Sequence, residues 1–204
     1  MAQMNLPKSE QIKFLALGDS YTIGESVPES ERWPEQLVAI LREKGFTIEK
    51  PLIIATTGWR TDQLKQAIVE QNPGNGFGLV SLLIGVNNQY QKKPIEIYVR
   101  EFEELLKTAI QCAGGRKERV LVVSIPDYGY TPFGESRLPG VSRDLDQYNS
   151  INLDFASRYG VSYFNITDIS RRGLAEPDLV AADKLHPSGK MYRLWVEEIL
   201  KGFK

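Results

Sequence analysis

One histidine and one cysteine occur among the 204 residues, and each scarcity excludes some chemistry. Cys112 has no second cysteine to pair with, so the fold must rest on its apolar core, in keeping with a reducing compartment. One histidine leaves mainly carboxylates as metal ligands, and these show no recognisable ligand spacing, so no metal and no other cofactor is expected. An excess of one charge is also missing. Lys and Arg number 25 against 26 Asp and Glu, a net charge of -1, and no basic block appears, so neither nucleic acid nor an anionic membrane surface is an expected partner. No apolar stretch is long enough for a membrane span. Met1 to Lys13 has no signal-type apolar segment, so the chain as written is expected to be cytoplasmic, or exported if a leader has been removed. Gly74, Gly76 and Gly78 precede an apolar run instead of following one, so they form no dinucleotide fingerprint, and no Walker-type phosphate loop is present.

What is present is a sequence that is 42% hydrophobic and 25% charged, the composition of a globular domain, and its length fits one domain over residues 1–204. Strand-like and helix-like stretches alternate. Short apolar runs at Ile12–Leu17, Leu52–Ala55, Leu79–Ile84, Val120–Ile125 and Val161–Phe164 read as five strands. Between them, Trp33–Lys44, Thr61–Gln71, Pro94–Cys112 and Asp144–Tyr159 carry apolar residues at helical spacing, and Ser188 can cap a last helix. Thr61 is the expected N-cap of the second of these helices. Apolar strands without alternation, separated by helices, imply an α/β fold with a parallel sheet covered on both faces.

In such sheets ligands bind beyond the carboxyl ends of the strands. Four of these ends carry polar or Gly-rich turns: Gly18-Asp19-Ser20, Thr56-Thr57-Gly58-Trp59, Gly85-Val86-Asn87-Asn88, and a long loop from Pro126. A serine at a strand-to-helix turn presents its hydroxyl outward, and it needs a base to attack at neutral pH. His186 is the only imidazole available. Asp183 lies three residues earlier, within reach of the imidazole Nδ1–H. The Ser20 N–H, the Gly58 N–H and the Asn87 amide are candidate donors to a developing oxyanion.

These blocks, in this order and over nearly the whole chain, resemble the SGNH (GDSL-type) hydrolases. The resemblance rests on Gly18-Asp19-Ser20-Tyr21-Thr22-Ile23-Gly24, Thr57-Gly58-Trp59, Gly85-Val86-Asn87-Asn88 and Asp183-Lys184-Leu185-His186-Pro187. It implies a three-layer α/β/α sandwich of flavodoxin-like type with a five-stranded parallel sheet, and hydrolysis of small-molecule carboxylic esters without a cofactor. It also implies Ser20 as nucleophile, His186 as base, Asp183 as its orienter, and Ser20, Gly58 and Asn87 as the oxyanion hole. Lysophospholipase, thioesterase and carbohydrate deacetylase activities all fall within it. The chain departs from the family pattern at Asn88, where Asp is frequent.

The same residues have plainer readings. Asp and Ser after a strand are common helix caps, Asn pairs tolerate unusual loop angles, and Cys112 at a helix end is a small apolar filler instead of a rival nucleophile. A non-catalytic carbohydrate- or ligand-binding domain on the same fold is the alternative, and Asn88 is the feature that favours it. The segment from Pro126 to Arg143, with Tyr128, Tyr130 and Phe133, is expected to wall the substrate site or to be a surface excursion, and Trp59 and Tyr90 are further candidates for that wall. The sequence leaves the oligomeric state open.

Overall fold

A computed structural model describes Met4 and residues 6–203. The reading of Met1–Lys13 as lacking a signal segment therefore falls partly on residues outside this set. Five strands form one parallel sheet: β1 (Phe14–Gly18), β2 (Leu52–Ala55), β3 (Leu79–Leu83), β4 (Val120–Val123) and β5 (Ser162–Phe164). Their order across the sheet is β2-β1-β3-β4-β5. Every residue of β1, β3 and β4 is buried, which requires cover on both faces and explains why those strands are apolar throughout. The edge strand β2 is covered less completely, and its Leu52 is exposed.

The helices are α1 (Ser20–Ile23), α2 (Trp33–Glu43), α3 (Thr61–Gln71), α4 (Val86–Tyr90), α5 (Ile95–Cys112), α6 (Gly140–Tyr159), α7 (Thr167–Ser170) and α8 (Gly189–Leu200). Helix α2 packs on α8, while α3 packs on α5 and α5 on α6. The buried faces of α2, α5 and α8 carry apolar residues, among them Trp33, Leu37 and Leu41, then Phe102, Leu105 and Leu106, then Trp195 and Ile199. Ser188 caps α8 by accepting from the Met191 N–H at 3.3 Å. Among the described residues no helix is long and apolar enough to cross a membrane.

Several element ends shift by one or two residues from the sequence reading, and some features differ by more. Thr61 is the first residue of α3 and not its cap; Arg60 occupies the cap position, and the Thr61 N–H donates to Asn88 Oδ1 at 3.1 Å. Helix α6 begins at Gly140, four residues before Asp144, because a Pro-Gly pair that reads as loop opens its first turn. The short helices α1, α4 and α7 carry too few residues for apolar periodicity to reveal them.

The strand order places the site. Chain direction across the sheet reverses between β1 and β3, the switch point at which open parallel sheets leave a crevice. Gly18 at the end of β1 lies level with Ala55 of β2 and Leu83 of β3. The three turns that follow these strands therefore converge on one edge.

Candidate active site

Ser20 opens α1 directly after β1. The α1 cap is Asp19, whose Oδ1 accepts the Tyr21 N–H at 3.0 Å, and Gly24 closes the helix in the left-handed conformation. Gly58 sits in the β2 turn at φ +81°, a conformation that favours glycine. In the β3 turn Gly85 has φ +132°, and a Cβ there would meet Tyr98 at 2.6 Å and Ile125 at 2.7 Å. Glycine alone lets β3 turn against Tyr98 and present Asn87. Asn87 Nδ2 donates one hydrogen to the Trp59 carbonyl at 3.0 Å, which fixes the amide and leaves its second N–H unspent. Among the described residues neither the Ser20 nor the Gly58 N–H donates to another protein group.

The loop before α8 carries the ionisable pair. His186 Nδ1 lies 2.6 Å from Asp183 Oδ2. Asp183 Oδ1 accepts the backbone N–H groups of Leu185 at 2.9 Å and His186 at 3.0 Å. Burial alone would raise the Asp183 carboxyl, but hydrogen bonds from Ser26, His186 and these amides outweigh it and hold the group well below the usual carboxylate range. The His186 side chain is 10% exposed, and the Tyr21 ring packs against it edge-on at 5.6 Å. An anionic Asp183 on Nδ1 leaves Nε2 as the nitrogen that can take up a proton.

These groups meet in one cavity of about 180 Å³, lined by Ser20, Gly58, Asn87 and His186 together with the apolar surfaces of Val86, Tyr90, Tyr128, Phe133 and Leu185. Among the described residues no hydrogen bond joins Ser20 Oγ to His186; the two share the cavity wall. Of the expected wall residues, Tyr90, Tyr128 and Phe133 line the cavity. Trp59 and Tyr130 are not among its lining residues: Trp59 contributes its carbonyl to Asn87 and packs on the core, and Tyr130 lies in the turn after Tyr128. Cys112 is buried at the end of α5, where desolvation pushes its thiol up.

The wall is held by contacts that the sequence does not signal. Asp127 is buried; it caps the turn Tyr128–Tyr130 through the Gly129 N–H at 2.9 Å and pairs with Arg171 Nε at 3.0 Å. The Phe133 N–H donates to the Lys184 carbonyl at 3.1 Å, tying the wall to the Asp183–His186 loop. Asn88 is 1% exposed and does not line the cavity. Its Nδ2 donates to Thr61 Oγ1 at 2.7 Å, and Thr61 Oγ1 donates to Glu101 Oε2 at 2.5 Å. An Asp at this position would set two carboxylates on one hydroxyl, so Glu101 gives a chemical reason for the amide.

The arrangement can deliver a hydroxyl to a carbonyl, take up its proton and face the resulting oxyanion with N–H donors. Comparison with known proteins agrees with this chemistry. The model of the GDSL-like Lipase/Acylhydrolase family matches residues 16–194. No curated protein sequence matches. Among solved structures, the chain is similar to a member of the lipolytic protein G-D-S-L family from Veillonella parvula, with 18% identity, 93% of this chain and 97% of that one covered, and a TM-score of 0.69. It is also similar to TesA, with 14% identity, 95% and 97% covered and a TM-score of 0.72. A third is Axe2, an acetylxylan esterase from Geobacillus stearothermophilus, with 19% identity, 94% and 93% covered and a TM-score of 0.68. At these identities the structures speak for the shared three-layer α/β/α fold, and the family match extends over most of the sequence. The chain belongs to the GDSL-like lipase/acylhydrolase family of ester hydrolases.

Proposed function

We propose that the described residues act as one hydrolase domain that cleaves small-molecule carboxylic esters through an acyl-enzyme on Ser20. Ser20 Oγ attacks the ester carbonyl as His186 Nε2 takes its proton, while Asp183 Oδ2 holds Nδ1–H and stabilises the imidazolium. The carbonyl oxygen becomes an oxyanion facing the Ser20 N–H, the Gly58 N–H and the free Asn87 N–H. Collapse expels the alcohol, which receives the proton from Nε2. Water then attacks the acyl-enzyme with the same base, and Ser20 regains its proton as the acid leaves. The observation that carries this reading is that the lone imidazole, with a carboxylate 2.6 Å from Nδ1, lines the same cavity as Ser20.

The cavity's size and apolar wall favour a short acyl group, with the alcohol portion directed to the open side. Esters, thioesters and acylated sugars with short acyl groups all satisfy that constraint. The non-catalytic alternative draws no support from Asn88, whose amide is occupied by Thr61 away from the cavity. The test is hydrolysis of p-nitrophenyl acetate and labelling by a fluorophosphonate probe. Wild type should turn over and label at Ser20. Ser20→Ala should lose labelling, and Ser20→Ala and His186→Ala should each lose at least about 10³-fold in kcat. Full rates in both variants would refute the assignment.

A further inference from the structure

Ser26 lies six residues beyond Ser20 and occupies a backbone conformation that its side chain does not favour, with φ +67°. The left-handed region costs an L-residue roughly 1–2 kcal/mol. Such strain persists where the surrounding structure holds it, and here the turn is anchored at both ends. The Glu25 N–H donates to the Ser20 carbonyl at 3.0 Å and the Val27 N–H to the Gly24 carbonyl at 3.3 Å, while Thr57 Oγ1 donates to the Glu25 carboxylate. The result is a single contact to a segment far along the chain: Ser26 Oγ donates to Asp183 Oδ2 at 2.6 Å. That is the same oxygen that faces His186 Nδ1.

We propose that Ser26 is a positioning residue that shares Asp183 Oδ2 with His186 and thereby sets the pH range in which the imidazole acts as a base. The proposal rests on the reading of Ser20 and His186 given above and adds a fourth side chain to it. Asp183 Oδ1 is already anchored by two backbone amides, so the carboxylate does not depend on Ser26 to stay in place. What Ser26 controls is the charge on Oδ2. A hydroxyl donor withdraws electron density from that oxygen and weakens its hold on an imidazolium. Ser26 is also the foremost of the hydrogen bonds that lower the Asp183 carboxyl. Removing the hydroxyl leaves Oδ2 more negative, and the imidazolium then persists to higher pH. Of the other ionisable groups, Tyr21, Asp127 and Tyr128 line a small pocket with His186, Tyr192 lies within electrostatic reach of Asp183, and Glu25 and Lys184 are the chain neighbours of Ser26 and Asp183; the substitution alters none of them.

Two variants separate this role from a structural one. Ser26→Ala removes the hydroxyl and keeps the strain. Ser26→Gly removes the hydroxyl and relieves the strain, so it should melt at a higher temperature than Ser26→Ala. Both should move the acid limb of kcat/KM upward by about half a pH unit, which is about threefold less activity on the limb, with KM on the plateau unchanged. The chain has one histidine, so NMR titration of its imidazole should move by the same amount and needs no turnover. An unmoved or lowered imidazole titration in both variants would overturn the proposal, including the case in which water takes over from the hydroxyl. Failure of the wild type to label at Ser20 would instead refute the function, and the NMR titration would still decide the role of Ser26.

Discussion

The most demanding test concerns the buried carboxyl beside the nucleophile. Asp19 is 0% exposed; its Oδ1 accepts one backbone N–H, and its Oδ2 has no partner among the described residues. Burial raises this carboxyl from 3.8 to about 7, with the Tyr21 N–H only partly opposing it. In the window from 3.8 to about 7 the unfolded chain has released this proton and the native protein still holds it, so stability falls as pH rises through the window. Below the window the cost is absent, and above it the cost is complete, at about 4 kcal/mol as an upper bound, since a buried water or a small relaxation would reduce it. Asp19→Asn keeps the acceptor for Tyr21 and cannot ionise. Its Nδ2 takes the place of the unpartnered oxygen at a cost of about 1–3 kcal/mol that is independent of pH. The variant should therefore be less stable than wild type near pH 4 and recover against it as pH rises to 8. Urea unfolding of both proteins at several pH values measures this, because all other titrating groups are common to both and cancel in the difference. A difference that stays flat within about 1 kcal/mol across that range would show that Asp19 titrates as an ordinary carboxyl and refute the reasoning.

Further substitutions probe the support and the wall. Asn88→Asp should destabilise the fold by about 2–4 kcal/mol at neutral pH, since it removes the donor to Thr61 Oγ1 and sets a second buried carboxylate near Glu101. Adding Glu101→Gln should restore much of the loss, and thermal melting of the single and double variants checks both statements. Phe133 lines the cavity at 40% exposure, with its ring under the Arg137 guanidinium at 4.6 Å. Phe133→Ala should open the wall and raise the kcat/KM ratio of longer to shorter p-nitrophenyl esters by about threefold per added methylene. An unchanged ratio would mean that this side of the cavity does not meet the acyl chain.

The parts of the fold that the sequence displays are those made locally. The buried strands β1, β3 and β4 are continuous apolar runs because both faces are covered, and α5 carries its core face at helical spacing. Ser20, Gly58, Asn87 and His186 stand out because each lies within a few residues of a strand's end or of a helix's start, and parallel topology brings such segments to one edge. Contacts between distant segments left no local trace. Ser26 meets Asp183 across 157 positions, Asp127 meets Arg171 across 44, and Asn88 meets Thr61 across 27. The aromatic wall was legible only in part for the same reason. Tyr90 and Phe133 face the cavity while Trp59 turns toward the core, and no spacing rule in a loop separates the two cases.

Two carboxylates flank this site, and their surroundings drive them in opposite directions. Asp183 accepts hydrogen bonds from Ser26, His186 and two backbone amides, so it stays ionised and sets a negative charge beside Nδ1, where the proposed reaction forms an imidazolium. Asp19 has one backbone donor and no water-exposed surface, so below about pH 7 it holds its proton. The asymmetry suits the direction of charge movement in ester attack. In the proposed reaction negative charge develops on the side of Ser20, Gly58 and Asn87, where an ionised Asp19 next to Ser20 would oppose it, and positive charge develops on the side of His186, where Asp183 would stabilise it. A protonated carboxyl at the start of α1 still caps the helix through its oxygen, so below about pH 7 Asp19 shapes the nucleophile turn without adding an opposing charge to the oxyanion, and above it that charge returns.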